Sequence, residues 1–149
     1  MTALPEGYEL TDDQAQIDAK AAHAYLARSY WSPGVALEKV ERALANSLCV
    51  AVFHDGEQVA FARAISDRAT FAWLADVYVL EQHRGKGLSK AMVAALLAHR
   101  DLQDLRRWAL STLDAHDLYR EFGWDKLAYP ERLMERMAPG AHAAPVAQP

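Results

Sequence analysis

The stretch of this 149-residue chain best equipped for chemistry is Gln82-His83-Arg84-Gly85-Lys86-Gly87-Leu88-Ser89. It follows a strand-like run, Phe71 to Leu80, and precedes a helix-like run, Lys90 to Arg100. The N–H groups at a helix N-terminus have no intrahelical partner, and the helix dipole adds positive character there. Arg84 and Lys86 add cationic charge. The stretch is therefore predicted to hold the phosphates of a small molecule. Two nucleotide-binding patterns fail on context. The Walker spacing, four residues between the glycines and then Lys-Ser/Thr, is absent. The dinucleotide fingerprint needs a third glycine and a parallel strand pair, whereas the strands before this turn read as hairpins.

Other reactive side chains are few. Asp76 is the one charge within the apolar run Trp73 to Leu80. It is either a buried base or a carboxylate that anchors backbone. Tyr119 lies in a short helix-like segment, where Ala115, Tyr119 and Phe122 share a face, so it either packs or supplies a proton. His54, His83 and His116 stand singly and read as structural or solvated. No pair of histidines has metal-ligand spacing, so no metal is predicted. The single cysteine, Cys49, excludes an internal disulfide and reads as a small buried hydrophobe.

The elements that must position these groups follow from periodicity. Tyr8 to Leu10 reads as a short strand. Asp12 and Asp13 then open a helix to about Arg28, with Ile17, Ala21, Ala24 and Tyr25 as its apolar stripe. Ser32-Pro33-Gly34 breaks the chain, and a second helix runs from Leu37 to about Asn46 with Leu37, Val40 and Leu44 on one face. Leu48 to Phe53, Gln58 to Ile65 and Phe71 to Leu80 form a meander, the first turn marked by Asp55-Gly56. In the third strand, Trp73, Ala75, Val77 and Val79 alternate with Leu74, Asp76, Tyr78 and Leu80. Arg107 to Thr112 is a further strand, and Asp114 reads as the N-cap of a helix ending at Gly123. Leu133 to Met137 reads as a last strand. Residues 1–137 are predicted to form one α+β domain, and 138–149, rich in Pro and Ala, a disordered tail.

Composition bounds the partners. Hydrophobic residues make up 52% and charged residues 24%, enough apolar content for a packed core. A formal charge of −4 argues against a nucleic-acid surface. The longest apolar stretch, Ala91 to Ala98, is too short for a membrane span, and the first ten residues carry no targeting signal. A cytoplasmic protein is expected.

The glycine turn resembles the central motif of the GCN5-related N-acetyltransferase superfamily, Gln/Arg-x-x-Gly-x-Gly/Ala between a strand and a helix. Gln82, Gly85 and Gly87 satisfy it. Arg84, Gly87 and Ser89 nearly do so in a second frame, with Ser89 where Gly or Ala is usual. The segment Asp114 to Trp124 looks like the family's second signature, a tyrosine three residues before Phe-Gly-aromatic. The resemblance implies a mixed, mostly antiparallel sheet flanked by helices and splayed at the donor-binding strand. It implies acetyl-coenzyme A as donor, its pyrophosphate on the turn (Gln82, Arg84, Gly85, Lys86, Gly87, Leu88, Ser89) and its pantetheine arm along Val77, Tyr78 and Val79. A strand N–H near Val77 or Tyr78 would polarise the thioester carbonyl. Tyr119 would be the acid for the departing thiolate and Asp76 a candidate base. Tyr30 and Trp31, in the loop between the first two helices, would shape the acceptor site. The acceptor implied is a small-molecule amine; a protein N-terminus or lysine, or a donor-binding module without turnover, stay open. The resemblance also allows a homodimer.

Overall fold

Asp55 and Gly56 both take positive φ, 51° and 78°, the conformation that lets a two-residue turn join twisted strands. That turn joins β2 (Leu48–His54) to β3 (Glu57–Ser66), and β4 (Phe71–Val79) completes the expected meander. The computed structural model describes residues 3–141. Two further strands, β1 (Tyr8–Thr11) and β5 (Arg107–Leu110), extend the sheet to the order β1-β2-β3-β4-β5. All pairings are antiparallel except β4 with β5, which run parallel. A parallel pair needs a crossover, supplied by α3 (Leu88–Ala98).

Helices cover both faces of the sheet. One face buries Val50, Val52, Ala62 and Leu74 against Met92, Val93 and Leu96 of α3. The other buries Cys49, Ala51, Phe61 and Tyr78 against α1 (Ala19–Leu26) and α2 (Leu37–Ala45). The α2 stripe is as expected, with Val40 and Leu44 buried. A fourth helix, α4 (His116–Arg120), follows β5. The chain is thus an α+β domain with a mixed sheet.

Several local expectations are corrected. Asp12 and Asp13 do not open one long helix: Asp13 caps a 3-10 turn, Gln14–Gln16, and the side chain of Asp18 accepts from the Ala21 N–H to cap α1. The buried positions of α1 are therefore Ala22 and Leu26, shifted around the helix from Ala21 and Ala24. The helix after the glycine turn begins at Leu88, two residues before Lys90. Asp114 is not the cap of α4: the cap position falls to Ala115, and no side chain caps the first turn. Leu133 to Met137 form no strand; Pro130–Arg132 is a 3-10 turn and Leu133, Met134 and Met137 are exposed. Most of the expected tail, residues 142–149, lies outside the described residues.

Two glutamine side chains tie the entry to α1 onto the sheet. Gln14 donates to Cys49 O and accepts from Cys49 N–H, continuing the pairing of β2 where β1 has ended. Gln58, 3% exposed, accepts the Asp18 N–H at 2.9 Å and donates to Asp18 O at 3.1 Å. Gln58→Ala strips both partners from this helix entry and is expected to cost about 2 kcal/mol. A urea titration showing a loss below about 0.5 kcal/mol would mean that water replaces the clamp.

Candidate active site

β4 is longer than its partner. Register with β5 covers Phe71 to Leu74 opposite Arg107 to Leu110, while β4 continues to Val79. Among the described residues, the edge of β4 from Ala75 to Val79 therefore has no strand beside it on the β5 side. A β-bulge accompanies the divergence. Arg63 pairs with Ala75 and Phe61 with Tyr78, so one residue of β3 opposes Asp76 and Val77 together. Asp76 takes φ +56°, an uncommon left-handed conformation that its short polar side chain tolerates. The bulge also breaks the expected alternation along the strand. Leu74 packs on the α3 face and Tyr78 on the α1/α2 face, although regular spacing would place them together.

The free edge leads into the glycine turn. Glu81–His83 form a 3-10 turn, Gly85 and Gly87 take φ of 78° and 79°, and Gly87 caps α3. Both positions need the left-handed region that glycine enters without strain. The Ala91 N–H donates to Gly87 O, leaving the amides of Leu88, Ser89 and Lys90 in the unsatisfied first turn. A β-carbon at Gly85 would meet no atom within 4 Å, so that side of the turn is open.

Together these elements line a groove of about 690 Å³. Val77, Tyr78 and Val79 form one side, Arg84, Gly85, Gly87, Leu88 and Ser89 one end, and Tyr119 the opposite wall. Gln82 and Lys86 are exposed and lie outside the lining. Arg84 is partly committed within the protein. Its amide donates to Glu81 O, Nε donates to Val79 O at 3.0 Å and Nη2 to the Tyr25 hydroxyl at 3.1 Å. Tyr25 and Arg28, which the sequence pattern marks only as helix residues, also line the groove. Arg28 holds Glu81 through two hydrogen bonds of 2.9 Å, tying the end of α1 to the turn, and that contact pulls the Glu81 carboxyl down to about 2.

Strand geometry decides which amide serves the groove. The Leu80 N–H donates to Val59 O of β3. Successive N–H groups along a strand point to opposite edges. Val79 therefore directs its amide toward the open side and Tyr78 directs its own toward β3, which leaves Val77, beside the bulge, as the remaining candidate of the two.

A second groove, about 390 Å³, shares its boundary with the first. Trp31, Val77, Asp114, Ala115 and Tyr119 line both. Tyr119 is 7% exposed, and burial, reinforced by Tyr30 and Asp114, pushes its phenol up to about 12. Its ring meets Trp124 edge-on at 5.9 Å. Trp31 borders both grooves, whereas Tyr30 borders the first and packs against Trp31 at 5.1 Å. Trp31 Nε1 donates to Asp76 Oδ1 at 2.8 Å, and Arg63 Nε donates to Asp76 Oδ2 at 2.6 Å. Arg63 also donates to Ser47 Oγ. Both oxygens of Asp76 are thus engaged, and its side chain is 10% exposed. It anchors the loop between α1 and α2 to the sheet. Cys49 is buried, and burial pushes its thiol up to about 12.

The family model described as the acetyltransferase (GNAT) family matches residues 8–124. The chain belongs to the GNAT acetyltransferase family. A candidate GNAT acetyltransferase of Xanthomonas campestris pv. campestris is 45% identical, with a TM-score of 0.88 over 95% of this chain and 100% of that one. A Gibberella zeae protein described as a candidate acetyltransferase is 28% identical over 75% of each chain. The fold is shared with a candidate acetyltransferase of Clostridium acetobutylicum whose crystal structure is with acetyl-CoA. That likeness has 13% identity and a TM-score of 0.63, over 87% of this chain and 94% of the other. The GNAT enzyme is an acyltransferase, and among its described residues no helix is long and apolar enough to cross a membrane.

Proposed function

We propose that this GNAT enzyme transfers the acetyl group of acetyl-CoA to a small primary amine by direct attack in a ternary complex. The observation that carries this reading is the junction of the two grooves at Val77 and Tyr119. The first groove offers what the donor requires: unsatisfied amides and glycines for a pyrophosphate, and a free strand edge for amide groups of an extended arm. The second offers the acceptor a route to the same junction.

Each residue then has a task. The amides of Gly85 to Ser89 hold the phosphates. The Val77 N–H stabilises negative charge on the thioester oxygen as the amine nitrogen bonds to the carbonyl carbon. Tyr119, its phenol kept protonated by burial, gives its proton to sulfur as the C–S bond breaks. The proton shed by the new amide nitrogen restores the phenol through water, and the proton lost when the ammonium became an amine leaves to solvent. Asp76 positions Trp31 and Arg63 rather than taking a proton, since two donors already hold its oxygens. The buried, hard-to-ionise Cys49 supports direct attack over a covalent acyl-enzyme. A single buried thiol also suits the reducing cytoplasm.

Acetyl-CoA at about 100 times its dissociation constant should stabilise the protein by about 2.7 kcal/mol. For a chain of this size that is a rise in Tm of about 5–10 °C. No rise at saturation would refute donor binding, and no release of free thiol with any amine or peptide acceptor would refute transfer.

A further inference from the structure

Charge at the second groove is unevenly used. Its lining includes three charged side chains, Arg63, Asp76 and Asp114. Arg63 and Asp76 neutralise each other at 2.6 Å and are largely buried. Asp114 is exposed to the groove and has no hydrogen bond or ion pair among the described residues. It also does not cap α4, whose cap position falls to Ala115. The groove therefore carries one uncompensated negative charge, and that charge sits where the two grooves meet. Large apolar side chains, the rings of Trp31 and Trp73 and the side chain of Ile65, line the groove together with the hydroxyls of Ser32, Ser111 and Thr112. The Trp31 ring is fixed by its bond to Asp76 and stands ready to lie against a flat or aliphatic body.

We infer that the acceptor is a cationic amine carried on an apolar body, and that the Asp114 carboxylate receives its ammonium group. This rests on the acetyltransferase reading above. Asp114 is a specificity-determining residue. It draws the ammonium to the junction, and it repels ligands that bear a carboxylate beside the amine. The acceptor class is thus an arylalkyl- or alkylamine rather than a free amino acid.

The test uses the full chain, acetyl-CoA and thiol release with two acceptors, 2-phenylethylamine and phenylalanine, which differ by one carboxylate. The wild type is expected to favour phenylethylamine. Asp114→Asn should lower kcat/KM for phenylethylamine about 10- to 100-fold, the scale of a lost charge-assisted hydrogen bond. It should also narrow the preference over phenylalanine, a change that a merely structural role would not produce. The variant should still show a thermal shift with acetyl-CoA, which shows that it is folded and donor-competent. Equal use of both acceptors by the wild type, or unchanged selectivity in the variant, overturns the inference. A wild type that binds acetyl-CoA and releases thiol with acceptor peptides but with neither amine overturns the acceptor class and leaves transfer standing. A wild type that fails to bind acetyl-CoA overturns both.

Discussion

Gly87→Glu is expected to abolish acetyl-CoA binding. Gly87 caps α3 with φ +79°, so any β-carbon there is strained by about 1–2 kcal/mol. Glutamate adds a carboxylate beside the unsatisfied amides of Leu88 and Ser89, where it competes for the positive end of α3 and repels phosphate. The two effects can be separated. Gly87→Asn tolerates the left-handed conformation and adds no charge, so it should keep most of the affinity. Calorimetric titration of both variants gives the answer. Donor affinity like that of the wild type in Gly87→Glu would move the phosphates away from this turn.

Tyr119→Phe is the second large effect. The substitution keeps the ring that packs against Trp124 and removes only the hydroxyl, so folding and donor affinity should survive. If the phenol protonates the leaving thiolate, kcat should fall about 100-fold or more, with little change in the acetyl-CoA dissociation constant. The pH dependence has a definite sign. The phenol is the competent form, and burial holds its pKa near 12. Tyr119 should therefore cause no loss of rate between pH 7 and about 10, where an ordinary tyrosine begins to ionise. A variant as fast as the wild type with every acceptor would assign Tyr119 to packing alone.

The features legible in the sequence were those whose cause is local. Asp55-Gly56 and the Gly85/Gly87 turn need positive φ, and glycine marks such positions. The meander and the α2 stripe follow from periodicity over a few residues. What was not legible depends on residues far apart in the chain. The bulge at Asp76 inverts the phase of β4, and only its pairing with Arg63 and Trp31 explains why a carboxylate sits within an apolar strand. Asp18 displaces Asp12 and Asp13 as the opening of α1 because Gln58, forty residues away, fixes its backbone. Asp114 looks like a cap by type and spacing, yet α4 begins at His116 and the cap position falls to Ala115. Leu133 to Met137 has strand-like residues and no strand beside it to pair with. In the site, the donor turn was readable because it is continuous in sequence. The second groove was not, because it gathers two loops, three strands and a helix.

The strand order carries a consequence for how the site comes into being. β2, β3 and β4 lie within Leu48–Val79 and pair with their immediate successors, so their contact order is low and they can close early. β5 returns only after the chain has passed through α3, and it joins β4 by four register pairs, against seven between β2 and β3. Loop closure must be met before that seam contributes any stability. The seam that holds Val77 opposite Tyr119 is thus the late and lightly sewn part of the molecule. A local opening of this short seam would separate the two grooves while β2, β3 and β4 stayed paired.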